Sequence, residues 1–156
     1  MTTLIVNSTD QVVEFPDTTV EVITAGLVGP QGPQGIAGPS GGATIEMAAG
    51  ENLGGHRAVV SSGGLAMYAD SAIAAHQNRV IGVTANSTTA GSVVNVVMSG
   101  QLNGLFGLTP DMPIYLANNG ALTQTVPASG FIQQLGTAIT ADSMSVNIYT
   151  GISYGS

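Results

Sequence analysis

Two histidines, His56 and His76, and nine carboxylates carry most of the acid–base chemistry open to this 156-residue chain, which has neither cysteine nor lysine. The histidines stand twenty residues apart with no HExxH or other metal-ligand spacing, so no metal site is expected from one chain alone. Only a threefold axis that gathered three copies of one histidine would change that. Serine catalysis needs a base and an orienting acid, yet no G-x-S-x-G elbow occurs, and Ser61-Ser62-Gly63-Gly64 reads as a turn. Glycoside cleavage needs two carboxylates about 5–10 Å apart across the sugar bond. The candidates are Glu46, Glu51, Asp70, Asp111 and Asp142, with Asp70 at a plausible helix cap and Asp111 in a turn between Pro110 and Pro113. Three Phe, four Tyr and no Trp make a poor lining for a carbohydrate cleft. Glycan binding without cleavage, through an exposed tyrosine or an amide-rich loop, asks for less. The expectation is a non-enzymatic protein with no cofactor and no metal.

The elements that must position these residues read as strands. Val, Ile and Thr together number 43, and β-branched side chains fit a pleated surface. Charged residues make up only 7% of the chain, so its 46 Ser, Thr, Asn and Gln residues must do the solvating. Arg57 and Arg79 are the only cations, too few to neutralise a phosphate backbone, and nucleic acid is not an expected partner. Without lysine there is no P-loop and no Schiff-base chemistry. No window reaches the roughly 18 apolar residues of a helical membrane span. The opening MTTLIVNSTD lacks a cationic segment before its short apolar run, which predicts a product made and kept in a cytoplasm unless something other than secretion releases it.

Three regions differ in texture. Residues 1–28 predict short strands at Leu4–Val6, Gln11–Phe15 and Thr19–Thr24, with a turn at Pro16-Asp17. They hold four acids and no base, and are too short for a core of their own. Residues 29–42 carry the string GPQGPQGIAGPSG, with Gly29, Gly32, Gly35, Gly38 and Gly41 in strict register and Pro30, Pro33 and Pro39 each following a glycine. A collagen triple helix admits only glycine at every third position, so this register predicts a trimeric stalk; a flexible Gly/Pro linker is the competing reading. Twelve residues at about 3 Å each span about 35–40 Å, too short a run to hold three chains unaided. Residues 43–156 predict an antiparallel β-sandwich or β-barrel, with strands at 43–48, 57–61, 65–69, 79–84, 92–99, 113–117, 121–125, 131–139 and 143–149. Ser92–Ser99 is nearly continuous apolar and is expected to be buried on both faces. Asn118-Asn119-Gly120 and Gly63-Gly64 predict hairpin turns, and Asp70–His76 either a short helix capped by Asp70 or a loop.

The 43–149 region resembles a module of tailed-bacteriophage virion proteins that decorates the head as a trimeric cement, spike or head-fibre protein, often behind a short collagen-like run. The resemblance is carried by Gly55-His56-Arg57-Ala58-Val59-Val60, Met67-Tyr68-Ala69-Asp70, Arg79-Val80-Ile81-Gly82-Val83-Thr84 and Gly91–Gly100. It continues through Pro113-Ile114-Tyr115-Leu116, Gly120–Pro127 and Phe131–Ala138. Together these cover about two thirds of the chain, and their order behind a collagen-like run is more specific than any one block. Similar modules also occur on tail appendages. The resemblance implies an all-β homotrimer on the outer surface of a virion, with the major capsid protein or another virion protein as partner; a host surface glycan is a further candidate only through an exposed tyrosine or an amide-rich loop. A tail-fibre or receptor-binding subunit, and behind it a polysaccharide depolymerase, are the alternatives. Residues 1–28 lie outside the resemblance. Their role as a capsid anchor follows from unpaired strand edges and acidity.

Overall fold

The computed structural model describes the strands Leu4–Val6, Gln11–Glu14 and Val20–Ile23 together with residues 42–154. The chain divides into two compact units, Met1–Ala37 and Gly38–Ser156, and both are β structures. In the first, β1 (Leu4–Val6), β2 (Gln11–Glu14) and β3 (Val20–Ile23) form an antiparallel sheet in the order β1-β2-β3. Leu4 pairs with Val13, and Val12 with Val22. All three strands fall where they were expected. The Gly-X-Y register at Gly29, Gly32, Gly35, Gly38 and Gly41 lies outside the described residues.

The second unit begins with β4 (Thr44–Ala49), β5 (Ala58–Ser62), β6 (Leu65–Tyr68), β7 (Val80–Thr84) and β8 (Val93–Val97). These close a five-stranded barrel in the order β4-β6-β5-β7-β8, with β8 returning to β4. The interior is filled by Ala49, Leu53, Val59, Ala66, Val94 and Val96. Alanines at two of these places suit the narrow lumen of so small a barrel. One pair departs from the expected antiparallel pattern. β4 runs parallel to β6, with Ala48 opposite Leu65 and Ala49 opposite Ala66.

The remaining strands are β9 (Ser99–Asn103), β10 (Pro113–Leu116), β11 (Leu122–Thr123), β12 (Phe131–Ile132), β13 (Gln134–Thr140), β14 (Ser143–Asn147) and β15 (Ile152–Ser153). Five of them make a sheet in the order β11-β10-β13-β14-β9, and β12 pairs with β15. The sheet lies on the barrel through two clusters. Val83 and Val97 from the barrel meet Leu102, Ile114, Ala138, Met144 and Val146 from the sheet. Ala58, Val60, Ala69 and Val80 meet Leu116, Phe131 and Leu135. Among the described residues, no buried cluster forms on the outer face of the sheet.

This arrangement bears out the expectation for Ser92–Ser99 in part: Val94 and Val96 fill the barrel and Val97 faces the sheet, but the start of the segment is not covered. Strand β8 ends at Val97, and Val93 is 58% exposed because it lies beyond the reach of the sheet. Strand β5 is buried on both faces from its first residue: Val59 points into the barrel while Ala58 and Val60 face the sheet. The segment expected as one strand over 131–139 divides at Gln133. Its buried amide accepts the Asn78 N–H at 3.2 Å and donates to the Tyr149 carbonyl at 3.0 Å. Asp70–His76 is a loop ending in a single 3-10 turn, Ala74–His76. Asp70 does not cap that turn; its Oδ1 accepts the Ala72 N–H at 2.8 Å. Both predicted hairpins form. Gly63 and Gly64 have φ of 59° and 82°, and Asn119 and Gly120 have 54° and 68°.

Candidate functional site

A cavity of about 280 Å³ brings together three residues that the sequence suggested for chemistry: Glu51, Asp70 and His76. Glu51 follows β4, Asp70 follows β6, and His76 closes the 3-10 turn. Tyr68, Met67, Ile73 and Asn119 complete much of the wall. Nothing in their spacing signals this meeting, because it depends on β4 pairing in parallel with β6.

The hydrogen bonds show what these groups do here. Asp70 accepts the Ala72 N–H through Oδ1 at 2.8 Å and the Asn119 N–H through Oδ2 at 3.1 Å, so both oxygens hold backbone. Glu51 accepts the Tyr68 N–H through Oε1 at 2.8 Å. The Asp70 N–H donates to His76 Nδ1 at 3.1 Å, which places the ring proton on Nε2. Tyr68 accepts the Gly54 N–H through its phenol oxygen at 2.7 Å. A general acid must present a free carboxyl to the leaving group. Asp70 presents none, and Glu51 has one oxygen unoccupied by backbone. The cavity therefore offers hydrogen-bonding groups beside the apolar flanks of Met67 and Ile73, which is the composition of a binding site.

The other candidates are scattered. Glu46 points outward from β4. Asp111 sits exposed in a turn at φ 64°, its N–H donating to the Ala138 carbonyl. Asp142 is exposed and accepts the Thr140 hydroxyl. His56 places Nε2 3.0 Å from the Asn103 carbonyl. Arg57 lies next to it, where the Thr84 hydroxyl accepts the Arg57 N–H at 2.9 Å and donates to the Gly54 carbonyl at 2.7 Å. Ser61 and Ser62 finish β5, and Gly63-Gly64 is the turn. Among the described residues, no three His, Asp or Glu side chains converge as a metal would require.

One surface feature escaped the sequence reading. Phe106 is 91% exposed between Gly104 and Gly107, on a loop anchored by buried Leu105. Beside it lies an open depression of about 350 Å³ that includes His56, Arg57 and Leu122. An apolar run of Leu-Phe between glycines signals such a projecting loop only once its neighbours are known. No protein-family model matches the chain, and no curated protein matches it in sequence.

Proposed function

We propose that this chain is a structural protein of a phage particle, decorating the outer capsid surface as a homotrimeric head fibre, spike or cement protein. The observation that carries the reading is the order of parts: a small three-stranded sheet, a Gly-X-Y run of four triplets, and a β domain with a closed barrel and its own core. Residues 1–28 grip the capsid or another virion protein by strand addition, residues 29–42 form the triple-helical stalk, and residues 43–156 stand away from the shell. Binding to the assembled lattice rather than to loose subunits stabilises the shell by mass action. The five-stranded barrel supports the division of labour, since a domain that closes its own sheet needs no partner to fold.

Light scattering on the purified chain tests the assembly, with three times 15.6 kDa expected and a monomer at micromolar concentration overturning it. A truncation starting at Leu27 is expected to fold, remain trimeric and fail to decorate particles lacking the protein. If it decorates them normally, the β domain is the attachment part.

A receptor-binding subunit of the tail is the second reading. It is favoured by the projecting Phe106 and by the cavity of Glu51, Tyr68 and His76, which suits a host surface glycan. Co-purification with tailless heads separates the two locations. Release of reducing sugar from host polysaccharide would instead establish a depolymerase.

A further inference from the structure

A triple helix brings three chains to a common axis at every third residue. Gly41 is the last glycine of the run, and Gly42 follows it directly. Consecutive Cα atoms are about 3.8 Å apart. Three copies of Gly42 therefore leave the stalk close to the axis, and whatever the chain touches next lies close to it too.

What it touches is β9. The Ala43 N–H donates to Ser99 Oγ at 3.2 Å, and the Ala43 carbonyl accepts the N–H groups of Met98 and Ser99 at 2.8 and 3.3 Å. A Cβ on Gly42 would stand 2.8 Å from the Ser99 carbonyl oxygen, so the entering backbone runs in contact with this strand. Ser99 belongs to the outer face of the five-stranded sheet. It alternates with Gln101 and Asn103, both exposed, while Leu102 between them is buried against the barrel.

Across that face the pairing sets Gln101 beside Ser145 and Ser99 beside Asn147, with Thr137 next to Ser145 on the following strand. These side chains are amides and hydroxyls, with no carboxylate, imidazole or cation among them. Each chain carries a formal charge of −7, so three copies approach at least electrostatic cost through an uncharged surface. Met98, 37% exposed beside the entry point, adds apolar area. In a threefold ring each face meets a different patch of the next copy.

We infer that the outer face of the five-stranded sheet, from Ser99 and Gln101 on β9 to Ser145 and Asn147 on β14, packs three copies of this chain around the axis. The inference rests on the triple-helical reading of residues 29–41. Gln101→Glu with Ser145→Glu in the full chain places six carboxylates around that axis. Light scattering is expected to show the trimer lost with a cooperative thermal transition retained, while Thr89→Glu, at the far end of the β4–β8 pair, remains trimeric. A double variant that stays trimeric overturns the assignment of the face. A monomeric parent chain overturns the stalk reading instead. If the double variant fails to fold, Ser145→Cys in this cysteine-free chain decides. A short bis-maleimide is expected to link Ser145→Cys copies and to leave Thr89→Cys unlinked; equal linking of both, or of neither, overturns it.

Discussion

His76 accepts the backbone N–H of Asp70 through Nδ1 at 3.1 Å, and the Asp70 carboxylate accepts the Ala72 N–H at 2.8 Å, so both side chains hold one loop in shape. The same loop is tied to the β10–β11 turn, because Asp70 also accepts the Asn119 N–H. Asp70→Ala leaves two backbone donors to water and is expected to cost about 1–2 kcal/mol, since these bonds are partly solvated. Urea unfolding measures it. An unchanged midpoint would mean the carboxylate does not support the loop.

Gln133 is buried, with its amide bridging Asn78 and Tyr149. Gln133→Leu keeps the volume but strands the Asn78 N–H and the Tyr149 carbonyl. We expect a loss of about 2–4 kcal/mol, the penalty for two unpaired backbone groups. A loss below about 0.5 kcal/mol would show that water reaches both.

Two glycines in turns separate conformation from space. Gly63 and Gly120 both have positive φ, but a Cβ on Gly63 meets nothing within 4 Å, whereas one on Gly120 lies 2.5 Å from the Ala58 carbonyl oxygen. Gly63→Ala is expected to cost about 1–2 kcal/mol from conformation alone. Gly120→Ala adds a backbone clash and is expected to cost clearly more in the same thermal melts. Equal costs would contradict the close approach of the β10–β11 turn to β5.

Gly35→Val would set a branched side chain on the axis of the proposed triple helix, where no volume exists. Limited proteolysis is expected to cut the variant near residue 35 while the β domain remains trimeric. In a flexible linker the substitution changes nothing in the digest.

Local chemistry made much of this fold readable. Two successive glycines specify the turn between β5 and β6, and Asn118-Asn119-Gly120 specifies the one between β10 and β11. Strand β9 was missed because Ser-Gly-Gln-Leu-Asn offers a single apolar residue, Leu102, and its strand character comes from pairing with β14. The misjudged burial of Val93 has the same origin, since apolar type says nothing about where a covering sheet stops. The cavity of Glu51, Asp70 and His76 was not readable at all. Three residues spread over 25 positions meet only because the barrel closes through a parallel pair.

That closure sets an order of events during synthesis. Strand β4 bonds to β6 on one side and to β8 on the other, so its antiparallel partner for Thr44 is Val97, more than fifty residues later. Strands β1 to β3 pair with immediate neighbours and can form as soon as they leave the ribosome. Strand β4 can meet β6 early, but its other edge stays open until β8 has been made. In refolding monitored by hydrogen exchange, amides of β4 should gain protection with those of β8 and after those of the β5–β6 hairpin. The barrel thus closes only where its first strand meets its last.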